Sequence, residues 1–190
     1  MQSEKLIQLL IDQTRDSINQ AEKLKNDDIQ TLTWREAATS WNILECMEHL
    51  NLYSDYYLPQ IKDKIKNSKT SSDTHFKSGF LGGYFAKSML PKEKLNKMKT
   101  FKDKNPLNSK LDRSVIDTFI NQQVELLTLL EQAKNVSLNR IKIPTSISGL
   151  LRLKLGDTFQ FFIHHILRHL KQIDTIKEAM KKTVPVHELS

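Results

Sequence analysis

The sequence predicts an all-α protein, a four-helix bundle with a long connection between its second and third helices. The first observation is composition: the 190 residues include only 5 glycines and 5 prolines, with 38% hydrophobic and 27% charged residues. This balance is typical of a folded helical protein rather than a disordered or all-β one. The second observation is that apolar residues recur at spacings of three and four in four separate segments, as in helices that bury one face. Because the length is that of one ordinary domain, we expect residues 1–190 to form a single domain.

The first two predicted helices each carry one apolar stripe. The first covers residues 4–26. The second begins after Trp41, where Asn42 can cap the helix and Glu45, three residues later, can reach back to complete a capping-box pair. We therefore predict a structural role for Glu45, and a position on the solvated face for Glu48. The stripe of the second helix comprises Ile43, Met47, Leu50, Tyr57, Ile61 and Ile65.

The long connection, residues 67–110, is polar and interrupted by glycine and proline. Connections of this length are commonly functional or partly disordered. We predict that it contains one or two short helices. Part of it should pack on the bundle, because it includes the apolar residues Phe80, Leu81, Tyr84, Phe85, Met89 and Leu90.

The third predicted helix covers residues 112–134, and the fourth covers residues 156–182 after a second connection at 135–154. Asp157 is predicted to cap the fourth helix, with Gln160 as its partner. Four long amphipathic helices joined by connections imply a bundle, because each stripe must be buried against the others.

The fourth helix contains three histidines, and helical phase distinguishes them. At about 100° per residue, His169 lies about 20° and His165 about 60° from the core direction marked by Phe162. His164 points away at about 200°, whereas Gln172 shares the flank of His165. At spacing i, i+4 the two inward imidazoles can converge on one metal ion. The residues alone leave open an ordinary interior pair that is hydrogen-bonded to other polar groups.

A third ligand would have to come from the second helix. His49 lies at the edge of its apolar stripe, about 120° from Ile43, so its phase alone slightly favours a boundary histidine at a helix interface. Cys46 is a possible soft ligand, but a lone cysteine on a helix is more often a small buried apolar residue. We expect His75, in the long connection, and His187, in the tail, to be exposed.

Two motifs, in this order and at this distance, resemble those of the DinB-like superfamily of bacterial four-helix bundles, which is unrelated to the DNA polymerase of that name. They are Trp41-Asn42-x-x-Glu45-x-x-Glu48-His49-Leu50 and Gly156-Asp157-x-x-Gln160-Phe161-x-x-x-His165-x-x-x-His169-x-x-Gln172-Ile173. The resemblance spans nearly the whole chain in element order. It implies that His49, His165 and His169 bind a divalent transition metal such as zinc, nickel or iron, and that the protein is a homodimer.

The expected function follows from this resemblance and from the ligand set. Three neutral imidazoles leave at least one coordination position open, which is typical of a catalytic metal site. The superfamily includes bacillithiol- and mycothiol-dependent transferases and isomerases, and metal hydrolases. The resemblance therefore implies a metal-dependent enzyme, thiol S-transferase-like or hydrolase-like, acting on a small molecule such as a low-molecular-weight thiol. Gln172 is predicted to orient a ligand or the substrate, and the sequence identifies no catalytic residue.

The alternative is a non-catalytic basic helical bundle that acts as a dimeric interaction or nucleic-acid-binding protein. The net charge is +7. However, the lysines of residues 61–69 and 91–104 alternate with acidic and polar residues, so we expect solvated surface rather than a nucleic-acid site. No apolar run approaches the roughly 20 residues that cross a bilayer, and the N-terminus lacks a secretory pattern. We therefore predict a cytoplasmic protein without a membrane partner.

Overall fold

The computed structural model of the protein describes residues 1–91 and 100–183. Within these residues the chain forms the four predicted long helices, two shorter helices, one 3-10 turn at Lys102–Lys104, and a small antiparallel sheet, so the all-α fold class is confirmed. No helix in the described ranges is long and apolar enough to cross a membrane. The elements are α1 (Ser3–Leu24), α2 (Ile29–Thr33), α3 (Ile43–Lys66), α4 (Phe80–Ser88), α5 (Ser114–Ala133), β1 (Lys142–Pro144), β2 (Arg152–Lys154) and α6 (Leu155–Thr183).

The four long helices α1, α3, α5 and α6 pack around one apolar core. Helix α3 lies against α5 and α6, and α1 also contacts both α5 and α6. Large aromatic side chains from three of these helices are fully buried in the core, which fixes the helices against one another. They are Tyr57, Phe119, Phe159 and Phe162. This packing places the histidine-bearing segments of α3 and α6 side by side.

The start of α3 is fixed by the predicted capping box. The Asn42 side chain accepts a hydrogen bond from the Glu45 amide at 2.8 Å, and the Glu45 carboxylate accepts one from the Asn42 amide at 2.9 Å. Glu45 is fully buried and also accepts from Arg35 at 2.9 Å and from the Asn108 amide at 2.6 Å. The same carboxylate therefore sets the first turn of α3 and ties residue 108 of the long connection to it.

Two segments between the long helices contain structure that the sequence pattern did not predict. The five-residue helix α2 begins at Ile29 and is capped by Asp28, whose side chain accepts from the Thr31 amide at 2.6 Å. Strands β1 and β2 pair antiparallel with Lys142 opposite Lys154. Each strand has only three residues, too few for an alternating pattern to stand out. By contrast, α4 and the 3-10 turn confirm the prediction of short helices between residues 67 and 110.

The apolar residues of α4 and of the two positions after it only partly pack on the bundle. Phe85 and Met89 lie against the core, whereas Phe80 and Tyr84 are 93% and 67% exposed. Leu81 and Leu90 are exposed as well. The prediction that part of the connection packs on the bundle is therefore confirmed, through Phe85 and Met89. Helix α4 contacts α6, and its buried residues, Gly82 and Ala86, are small enough to allow close approach.

Asp157 does not cap α6, which corrects the sequence prediction. The helix begins at Leu155, so Asp157 lies inside its first turn. Its carboxylate instead accepts hydrogen bonds from the Ser78 hydroxyl and from the Gly79 amide, the latter at 2.9 Å. Gln160 donates to the Gly156 carbonyl and does not pair with Asp157. The carboxylate thus satisfies an amide at the start of α4 and anchors that helix to α6.

Replacing Gly82 with alanine should loosen α4 from α6. The added methyl group would overlap the Asp157 carboxylate, which cannot easily move because Ser78 and Gly79 hold it. Overpacking of this kind costs about 1–3 kcal/mol, so hydrogen exchange measured by mass spectrometry should be faster in the α4 peptide. Gly149→Ala is the control, because a methyl group there meets no atom within 4 Å. Equal protection of α4 in both variants would contradict this interpretation.

Candidate metal centre

The structure brings together the three histidines predicted from the sequence. The Nε2 atom of His165 lies 3.2 Å from that of His49 and 3.0 Å from that of His169. The three side chains are buried, with exposed fractions of 2% for His49, 5% for His165 and 8% for His169. One imidazole comes from α3 and two come from successive turns of α6. The cluster therefore depends on the packing of these two helices.

Hydrogen bonds donated by the outer ring nitrogens fix the protonation of two of the imidazoles. His49 Nδ1 lies 2.6 Å from the Lys104 carbonyl, which can only accept, so this nitrogen carries the proton. His169 Nδ1 donates in the same way to Gln172 Oε1 at 2.9 Å. The inner Nε2 atoms of His49 and His169 consequently present lone pairs to the centre of the cluster. Gln172 thus accepts a hydrogen bond from a candidate ligand, and its role in orienting that ligand stays a prediction.

His165 cannot satisfy both of these lone pairs. A neutral imidazole carries one N–H, so its Nε2 can donate to only one of its two neighbours. Within the described part of the chain its buried Nδ1 has no hydrogen-bond partner. Buried polar atoms without partners are uncommon in folded proteins. If the proton is on Nδ1, all three inner nitrogens present lone pairs to one point, which a cation would satisfy.

The donor set and its spacing fit a divalent transition metal. Two nitrogens bound to one zinc ion at about 2.0–2.1 Å lie about 2.9–3.4 Å apart for bond angles of about 90–110°. The distances of 3.0 and 3.2 Å fall in this range. Imidazole nitrogen suits zinc, nickel and iron, so the ligands do not select one of them.

The electrostatics of the cluster keep the histidines neutral. The pKa of His49 is lowered to about 4, chiefly by burial; the charge of Lys104 also lowers it, whereas the hydrogen bond to the Lys104 carbonyl acts in the opposite direction. Burial also places the pKa values of His165 and His169 well below the usual histidine range, and the neighbouring imidazoles add to the effect. A neutral imidazole is the form that binds a metal, so the site needs no deprotonation step near pH 7.

Trp41 covers one side of the cluster. Its ring centroid lies 4.7 Å from that of His49 and 5.9 Å from that of His169. The indole N–H donates to the side chain of Asn105 at 3.0 Å. Trp41 therefore links the cluster to the segment of the long connection that also supplies the carbonyl of residue 104.

Tyr53 and Phe161 form a second wall. The Tyr53 ring lies 4.5 Å from that of His165 and 4.9 Å from that of His49, and Phe161 stacks on His165 at 6.3 Å. Burial raises the pKa of Tyr53 to about 12, although its hydrogen bond with Ser146 acts in the opposite direction. Its hydroxyl consequently remains a proton donor. Tyr53 follows His49 by four residues, and this spacing was the signal by which the sequence could have identified it as a site residue.

The other candidate side chains lie elsewhere. His164 points away from the cluster, as its phase predicts, but it is buried beneath α4, where its Nδ1 lies 2.8 Å from the Ala86 carbonyl. Cys46 is fully buried, which raises the pKa of its thiol, and it behaves as the predicted small core residue. His75 is exposed, as expected. His187 lies outside the described residues.

No fourth protein ligand joins the three histidines within residues 1–91 and 100–183. The Glu45 carboxylate is occupied by three hydrogen bonds, from Arg35, the Asn42 amide and the Asn108 amide. Structural zinc sites are almost always closed by four protein ligands, whereas catalytic sites use three and keep one position open. The arrangement therefore has the ligand count of a catalytic site.

Removing the outer hydrogen bond of His169 should weaken metal binding. Gln172→Ala is expected to lower zinc affinity about 10- to 100-fold, because partners of this kind fix the ring and its tautomer. Affinity can be measured by competition with a chromophoric chelator. Gln172→Glu, which keeps an acceptor, should retain most of the affinity, and Lys171→Ala serves as the control. Equal affinity of Gln172→Ala and Lys171→Ala would show that this hydrogen bond does not support the ligand.

A family model described as the DinB superfamily matches residues 10–173. This range covers most of the chain and includes all three histidines of the cluster. No curated protein and no solved structure matches the chain.

Proposed function

Because the chain belongs to the DinB superfamily, we propose that it is a metal-dependent enzyme, thiol S-transferase-like or hydrolase-like, whose metal is held by His49, His165 and His169. The observation that carries the proposal is the convergence of three buried Nε2 atoms. That of His165 lies 3.0 Å from that of His169 and 3.2 Å from that of His49. Two of these atoms present lone pairs because their rings donate outward. A donor set of three neutral imidazoles, without a fourth ligand in the described residues, suits catalysis better than structure.

Once bound, a divalent metal would supply a Lewis acid with at least one position open to a thiol or water. The chain contributes the remaining functions. The carbonyl of residue 104 and the side chain of Gln172 hold two rings in place. Trp41 and Phe161 exclude water from two sides of the cluster. Tyr53 keeps its proton near neutral pH and can donate a hydrogen bond beside the metal ligands.

Metal analysis of protein purified without a histidine tag tests the metal site. We expect close to one zinc, nickel or iron ion per chain, or uptake of one added ion after treatment with a chelator. Metal-free protein that binds neither added zinc nor added nickel would overturn the proposal. That result would favour the non-catalytic alternative.

The nature of the reacting ligand can be tested on the cobalt-substituted protein. A thiolate bound to Co²⁺ produces a charge-transfer absorption in the near ultraviolet, whereas bound water does not. Appearance of this band with small thiols would support the transferase-like form of the proposal. Failure of every small thiol to produce it would exclude that form and leave the hydrolase-like one.

Three further expectations are not carried by the geometry and remain predictions. The homodimer rests on the family resemblance, and sedimentation velocity of the full chain tests it. The cytoplasmic location rests on the composition of the sequence alone. Binding of nucleic acid is not expected, and an affinity that falls steeply with salt would contradict this expectation.

A further inference from the structure

Lys104 is fixed beside the histidine cluster by its own main chain. It is the last residue of the 3-10 turn Lys102–Lys104, and its carbonyl accepts from His49 Nδ1 at 2.6 Å. The side chain therefore starts next to a candidate metal ligand. It is only 16% exposed, whereas the other lysines in ion pairs within the described residues are 30% to 64% exposed. The fold therefore keeps a largely covered ammonium group next to a candidate metal ligand.

The surroundings of the ammonium group do not fully neutralise it. The Nζ atom lies 6.0 Å from the centre of the Tyr56 ring, at the outer limit of a cation–π contact. Within the described residues its anionic partner is the adjacent Asp103, 3.4 Å away and 74% exposed. An ion pair with an exposed carboxylate contributes little to stability. A better-placed anion can therefore displace it.

The positive charge also reaches the cluster. Tyr56 follows His49 by seven residues, so the two lie on the same face of α3, two turns apart. The Nζ atom above Tyr56 is therefore on the side of α3 that carries the cluster. The contribution of Lys104 to the lowered pKa of His49 agrees with this placement.

We infer that Lys104 is a specificity-determining residue that binds a carboxylate on the thiol used by this site. The inference rests on the proposed function and narrows its substrate class to an anionic thiol, with sulfur at the metal and the carboxylate at Nζ. The carbonyl and the side chain of residue 104 then have separate roles. The carbonyl orients His49, whereas the ammonium group selects the ligand.

Two thiols with the same two-carbon spacer test the inference on the cobalt-substituted full-length protein. 3-Mercaptopropionate carries a carboxylate where 2-mercaptoethanol carries a hydroxyl, and the thiolate absorption band gives the affinity of each. We expect about tenfold tighter binding of 3-mercaptopropionate, as for a charge pair of about 1.4 kcal/mol in partly buried surroundings. Lys104→Met should remove this preference while metal content stays unchanged, because the carbonyl remains. Lys104→Arg should keep most of it, and Lys102→Met, an exposed control in the same turn, should keep all of it.

Asp103→Asn distinguishes recognition from a structural role. Removing the competing carboxylate should increase the preference, which a purely structural lysine would not produce. This variant and Lys104→Arg keep the test decisive if Lys104→Met fails to fold. An equal preference for 3-mercaptopropionate in the wild type and Lys104→Met, or no increase of this preference in Asp103→Asn, would overturn the inference. The proposed function would be unaffected by either result. Absence of the band with both thiols would instead overturn the thiol-dependent form of the proposed function, and the inference with it.

Discussion

Replacing His165 with alanine should lower the affinity of the protein for zinc by more than about 100-fold, beyond the 10- to 100-fold typical of losing an outer partner. The reason is geometric. The Nε2 atom of His165 is the one that lies within 3.2 Å of both other inner nitrogens. Its loss leaves His49 and His169 as a two-ligand site. Competition with a chromophoric chelator, followed at constant pH and ionic strength, measures the change.

A thermal measurement gives an independent readout of the same variant. Zinc present at about 100 times its dissociation constant should stabilise the wild-type protein by about 2.7 kcal/mol, which corresponds to a rise in Tm of about 5–11 °C for a chain of this size. His165→Ala should show almost none of this rise at the same zinc concentration. His75→Ala is the matched control, because His75 is exposed and outside the cluster. A wild-type response in His165→Ala would exclude this histidine as a ligand.

Replacing Glu45 with alanine should destabilise the protein by about 3 kcal/mol, because a buried carboxylate that accepts several hydrogen bonds would be lost. The side chain is fully buried and accepts from Asn42, Arg35 and Asn108. Its removal would leave these donors without their acceptor and undo the capping box. We expect Tm to fall by about 6–12 °C, measured by calorimetry on metal-free protein.

A second consequence should follow for the metal. Glu45 holds Asn108, and the same segment supplies the carbonyl of residue 104 to His49. Zinc affinity should therefore fall by about tenfold as the orientation of His49 is relaxed. Glu48→Ala is the control, because Glu48 is partly exposed and accepts one long bond, at 3.3 Å from Asn51. Equal stability of Glu45→Ala and Glu48→Ala would contradict the structural role of Glu45.

The long helices could be predicted because periodicity and caps both act locally. Asn42 and Glu45 determine the start of α3 through contacts three residues apart, and the structure contains both bonds. Asp157 illustrates the limit of such reasoning. Its sequence context suits an N-cap equally well, but its partners, Ser78 and Gly79, are far away in the chain. A local pattern cannot distinguish a capping carboxylate from one that satisfies a different helix.

The three histidines also differ in whether a local pattern predicts their positions. The spacing of His165 and His169 on one helix places both imidazoles on one flank, so their proximity follows from the sequence. His49 lies at the edge of its apolar stripe, where a side chain faces either solvent or a neighbouring helix. The outcome depends on Trp41 and on residue 104, which cover it from outside α3. Only the resemblance to a known family indicated this arrangement in advance.

The partner of His49 in the long connection is a main-chain carbonyl. Every amino acid supplies a main-chain carbonyl, so the hydrogen bond to His49 does not restrict which side chain occupies position 104. If the side chain there selects the ligand, descendants of this protein can exchange lysine for a neutral or acidic residue and acquire a new substrate without first losing the metal. Within this one residue, the main-chain carbonyl that orients His49 is always present, whereas the side chain that contacts the ligand can change.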